Sequence, residues 1–168
     1  MNKPHPPVSN LTLAATPNAV SWARRHTVDV LRQWRFPDEG IEVARLLVSE
    51  LTTNAIRHAH PAPTTAVSAP APGTILIRLW PTSTSVVLAV GDSDPRPPAR
   101  RSADESATGG RGLLLTAAMA RRWGYYHPER CPGKFVWAEV PSQPLVDTDG
   151  QQVGPLLIGR VLTGLREL

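Results

Sequence analysis

The sequence predicts a two-layer α/β sandwich, a mixed, mostly antiparallel sheet covered on one face by helices. Extended runs come in pairs joined by short turns, which favours antiparallel hairpins. Helical runs are inserted between those pairs as blocks instead of alternating with single strands. The run Thr74 to Trp80 also places Ile75, Ile77 and Leu79 on alternate residues, the period of a half-buried strand. At 168 residues and 41% hydrophobic, the chain is the size of one domain with a real core.

The first element is a short strand, Leu11 to Ala15. Thr16 followed by Pro17 then reads as a helix start, a hydroxyl at the N-cap and proline at the first helical position. Val20, Ala23, Thr27, Val30 or Leu31, and Trp34 recur at helical spacing, and Pro37 ends that helix by restricting Phe36. Asp38 caps a second helix with the core stripe Ile41, Ala44, Val48, Leu51 and Ala55, stopping at His60-Pro61. The proline- and alanine-rich stretch from Pro61 to Gly73 has the composition of a connector.

Two strands follow, Thr74 to Trp80 and Ser85 to Asp92, with Pro81 to Thr84 as their turn. Ser93 to Gly110 is polar, charged and proline-rich, and a loop of that length is usually functional or disordered. A third helix is expected from Gly112 to about Arg122, with Arg121 and Arg122 at its negative end. Trp123 to His127 and Lys134 to Val140 form a second hairpin. Residues 1–10 are therefore expected as a flexible N-terminus, 11–140 as the domain, and 141–168 as a linker and amphipathic segment. Leu157, Ile158, Val161, Leu162, Leu165 and Leu168 make up that last stripe; docking on the domain, self-pairing in a homodimer and partner binding all fit it.

The net charge of +4 is carried by scattered arginines, and aromatic content is only 5%. Stacking platforms interleaved with basic residues are not evident, so no direct nucleic-acid binding is expected. Cys131 stands alone, which excludes an internal disulfide and fits a reducing compartment. No apolar run approaches the roughly 20 residues of a membrane span. The first ten residues, MNKPHPPVSN, lack the apolar centre of a signal peptide. A cytoplasmic location without membrane attachment is the expectation.

Glu50, Asn54 and His58 lie at i, i+4 and i+8 and share one helix face, offset from the core stripe. A carboxylate one turn from a carboxamide suits acid/base work and oxygen ligation of Mg²⁺, although such a pair taken alone more often marks a solvated face. A histidine in a last helical turn mostly complements the dipole. Asp92 ends the apolar run VVLAVG, where a buried carboxylate needs a partner such as an exocyclic amine. The plainer reading is that Asp92 turns the chain with Ser93 and Asp94. Gly109, Gly110 and Gly112 surround Arg111 before a helix, a place where backbone N–H groups approach phosphate. Glycines occur before helices without phosphate too, and no Walker A lysine follows.

The combination is more specific than its parts. VSELTTNAIRHA on a helix, VGDSDPRPP at a strand end and TGGRGLLL opening a helix resemble the N-box and the two glycine boxes of the histidine-kinase-like (GHKL) ATP-binding family. The likeness runs from about Leu11 to Val140, including WGYY and GKFVWAEV, and is greatest to the stand-alone serine/threonine-protein kinases that act as bacterial anti-sigma factors. It implies ATP and Mg²⁺ as cofactors. It implies Glu50 as general base, Asn54 as Mg²⁺ ligand, Asp92 as adenine reader, and Gly110, Arg111, Gly112 and Leu113 as the phosphate-binding backbone.

The implied partners are a sigma factor and an antagonist protein that is phosphorylated. One departure stands out: the family's first glycine box reads Asp-x-Gly-x-Gly, whereas Asp92 is followed here by Ser93, Asp94, Pro95 and Arg96. Losing both glycines stiffens that loop. A docking module without catalysis is the alternative; simple ATP hydrolysis is a third reading, with no arm or second domain to use the energy.

Overall fold

In the computed structural model, residues 7–59, 73–98, 116–129 and 132–142 are described. The elements are β1 (Ser9–Ala14), α1 (Ala19–Gln33), α2 (Asp38–His58), β2 (Thr74–Pro81), β3 (Ser85–Asp92), β4 (Arg122–Tyr126) and β5 (Lys134–Pro141). The sheet order is β1-β2-β3-β5-β4, and every pairing is antiparallel. The expected two-layer α/β architecture is present, with no parallel pair among the described residues. Strand β5 separates β3 from β4, so the second hairpin adds through its later strand.

Strand parity decides which residues meet the helices. Ile75, Ile77 and Leu79 of β2, Val86, Leu88 and Val90 of β3, and Val136, Ala138 and Val140 of β5 are all buried on one face. They form one cluster with Ile41, Ala44, Leu47, Val48, Leu51 and Ala55 of α2 and with Ala19, Ala23 and Leu31 of α1. Each large aliphatic side chain buried there contributes about 1.5–3 kcal/mol. All five residues of the predicted α2 stripe are in this core, which turns the Glu50 face away from it. No described helix is long and apolar enough to cross a membrane.

Strand β1 begins at Ser9, inside the segment expected as a flexible N-terminus, because Ser9 and Asn10 pair with Leu79 and Arg78 of β2. Three further local expectations change. Helix α1 begins at Ala19, because Pro17 and Asn18 form a turn in which the Ala19 N–H donates to the Thr16 carbonyl at 2.9 Å. The Thr16 hydroxyl therefore does not cap it. The same helix ends before the proline acts: Arg35 adopts φ +56°, Arg35 N–H bonds the Arg32 carbonyl and Phe36 N–H bonds the Leu31 carbonyl. That is a Schellman ending built on an arginine instead of glycine. Finally, only residues 116–119 of the third helix are described as helical, and Arg122 opens β4. Arg121 donates its N–H to the Glu139 carbonyl, and the Arg122 guanidinium bonds the Glu139 carboxylate at 2.8 Å. Arg122 belongs to the sheet, opposite Glu139, and Arg121 immediately precedes the strand.

Candidate functional site

Helix α2 carries Asp38 and Glu39 in its first turn and Arg57 and His58 in its last, both favourable to its dipole. Glu50 and Asn54 are half-buried on it. Neither side chain has a hydrogen-bond or ion-pair partner among the described residues. Burial pushes the Glu50 carboxyl above its ordinary value, with Arg57 and Arg24 partly offsetting the shift. One turn beyond Asn54, His58 Nδ1 lies 3.7 Å from Asp94 Oδ2. The helix face singled out in the sequence thus leads to the loop that follows β3.

At that strand end the structure supplies a partner the sequence did not reveal. Asp92 lies directly opposite Lys134 in the β3–β5 register, and both share the parity of the helix-facing core. Lys134 Nζ donates to Asp92 Oδ1 at 2.9 Å and Oδ2 at 3.0 Å, and to the Asp94 carbonyl at 3.0 Å. The two side chains are each only 3% exposed. The donor expected for a buried carboxylate is therefore a lysine of the same chain. The chain-turning role is also real, since Asp94 N–H donates to Asp92 Oδ1 at 2.8 Å.

Asp94, 1% exposed, repeats the pattern. Its Oδ1 accepts the Arg96 backbone N–H at 3.0 Å, and the Arg96 guanidinium grips both oxygens at 2.7–3.0 Å. The hydrogen bond from Arg96 holds the Asp94 carboxyl far below the usual carboxylate range, against the opposing effect of burial. A carboxylate with a depressed folded-state pKa contributes stability above its unfolded value, and that contribution is lost as pH falls toward the folded one. The segment Asp92 to Arg96 is thus fixed by side chains where the family pattern has flexible glycines.

Gly133 lets β5 begin this close to Asp92. It has φ +111°, and a Cβ there would overlap the Asp92 carbonyl oxygen. Gly133→Ala is expected to cost about 1–3 kcal/mol from backbone strain and displacement of that carbonyl. Urea unfolding measures it, and a loss below about 0.5 kcal/mol would show that the strand end yields easily.

Of the sequence-predicted site, then, Glu50, Asn54 and His58 share the α2 face, and His58 meets the loop after Asp92. Gly110, Arg111, Gly112 and Leu113 lie outside the described residues, as do Cys131, most of the long loop and the C-terminal stripe. Lys134, Asp94 and Arg96 were missed. One signal was available: Lys134 heads β5 at the parity of Val136, Ala138 and Val140, an inward position for a charged residue. A second charged cluster, Glu139 with Ser85 and Arg122, sits toward the opposite end of β5.

These features coincide with a family assignment: the chain belongs to the histidine kinase-like ATPase domain family, matched over residues 13–138. Among solved structures it is similar to the RsbU and RsbW domains of Rv1364c from Mycobacterium tuberculosis, at 17% identity and a TM-score of 0.55. That match covers 80% of this chain and 32% of the other, so this chain spans about a third of that protein's length and the likeness speaks to the fold. No curated protein matches it.

Proposed function

We propose that this chain binds ATP where α2 meets the ends of β3 and β5, and acts as a serine/threonine-protein kinase in bacterial sigma-factor regulation. The observation that carries the reading is the pair of half-buried polar side chains Glu50 and Asn54, without a hydrogen-bond partner among the described residues, on a helix face running to the Asp92 loop. Family membership supports nucleotide binding. Its substrate would be a serine or threonine hydroxyl on an antagonist protein, and it would also hold a sigma factor.

The residues present fit the implied ligands. Asn54 Oδ1 offers a hard oxygen donor of the kind Mg²⁺ takes, while the Glu50 carboxylate one turn away is left to act as a base. Asp92 retains acceptor capacity for a purine amino group. When bound, ATP would supply the phosphoryl group and Mg²⁺ would offset part of its charge. Glu50 accepts the proton of the attacking hydroxyl, and its raised pKa makes it a stronger base than a solvated glutamate. Asn54 positions the metal. Gly110, Arg111, Gly112 and Leu113 are proposed to hold phosphate through backbone N–H groups.

Calorimetric titration with ATP, with and without Mg²⁺, tests the reading, alongside Asn54→Ala. Saturable binding is expected, with affinity in the presence of Mg²⁺ falling about tenfold or more in the variant, the scale of losing a metal-positioning partner. Absence of binding by the folded protein would leave the docking module as the working description. That second reading is favoured by one observation, the bonding of Asp92 and Asp94 within the chain. Incubation with ATP and candidate partners, read by a phosphorylation mass shift, separates the two.

A further inference from the structure

The inference concerns Lys134 and rests on Asp92 facing the base of a bound nucleotide. A carboxylate offers about four lone-pair positions, two on each oxygen. Among the described residues three are taken. Oδ1 accepts from Asp94 N–H and from Lys134 Nζ, and Oδ2 accepts from Lys134 Nζ. One position remains, on Oδ2. The ammonium has in turn spent its three donors, two on Asp92 and one on the Asp94 carbonyl, so it has none left for a ligand.

We infer that Lys134 is a specificity-determining residue, limiting Asp92 to a single ligand donor and so selecting a 6-amino purine over a 6-keto, 2-amino purine. An adenine edge presents one amino group to a carboxylate and needs one acceptor. A guanine edge presents N1–H and N2–H side by side and needs one acceptor on each oxygen. With Oδ1 filled by Asp94 and Lys134, the N1–H or N2–H of guanine enters the site unpaired, and sites that leave a buried polar group unpaired discriminate strongly. Lys134 acts through Asp92 and touches no ligand atom. Its burial opposite Asp92 keeps that arrangement fixed, because neither charge has a solvated alternative within the sheet.

The experiment measures ATP and GTP affinity by calorimetry in the unmodified chain and in Lys134→Met. The unmodified chain is expected to prefer ATP by roughly 30-fold or more, on the scale of one unpaired group. In Lys134→Met one acceptor position opens on each oxygen, and the preference is expected to fall to about threefold or less because GTP binding strengthens. A merely structural lysine would weaken both nucleotides in parallel, and that result overturns the inference.

Lys134→Met leaves a buried carboxylate without its countercharge, so a second measurement uses the unmodified chain alone. Purine riboside triphosphate, lacking the amino group, is expected to bind about 10- to 100-fold more weakly than ATP, and 2,6-diaminopurine riboside triphosphate within about threefold of it. Equal affinity for ATP and GTP in the unmodified chain overturns the inference while leaving nucleotide binding intact. Failure to bind any of these nucleotides overturns both.

Discussion

Asp92→Ala is expected to lower the unfolding free energy by about 3–5 kcal/mol, the cost of stranding one member of a buried ion pair. Lys134 would keep only the Asp94 carbonyl as a partner, in a place where its side chain is 3% exposed. For a chain of this size the loss corresponds to a melting temperature lower by roughly 10 °C, read by circular dichroism. The double variant Asp92→Ala/Lys134→Met, which removes both charges, is expected to recover much of the loss. A single variant melting within about 2 °C of the parent would mean that the lysine escapes to solvent at little cost. Asp92→Asn is not a neutral probe of nucleotide binding either, because one side-chain amide orientation turns N–H donors toward the ammonium. Any binding loss in an Asp92 variant therefore has to be read beside its folded fraction.

Glu50→Gln is expected to slow phosphoryl transfer by about 10²–10⁴-fold, the usual contribution of a positioned base, while ATP affinity changes by less than about threefold. Glutamine preserves the shape of the side chain and removes only its ability to take a proton. Because burial raises the Glu50 pKa, transfer in the parent chain is lost as pH falls through a value above the ordinary glutamate range. Single-turnover transfer to the antagonist protein, followed by mass, measures the rate. An unchanged rate would remove Glu50 from the chemistry. Lost transfer together with lost ATP binding would assign it to binding instead.

Much of this molecule was legible in one dimension. The bounds of β3, Ser85–Asp92, follow from its continuous apolar run, and five core positions of α2, though not Leu47, follow from apolar periodicity; both signals are local and survive without knowledge of neighbours. The candidate site was legible as far as its helical part, Glu50 and Asn54, because i and i+4 residues share a face wherever a helix forms. The ending of α1 was not, since Arg35 takes a left-handed conformation usually marked by glycine. Nor was the role of Arg122, read as a helix end but drawn into β4 by Glu139.

Alone, the sequence determined the two-layer architecture, the face of α2 that carries polar groups, and the position of Asp92 at a buried strand end. Tertiary structure decided what Asp92 meets. Insertion of β5 between β3 and β4 places Lys134 opposite it across 42 positions of chain, and the loop folds back so that Asp94 meets both Arg96 and His58. Periodicity tells which side of an element is buried. Strand order and register tell which charge lies across from it, and a buried charge is defined energetically by that partner.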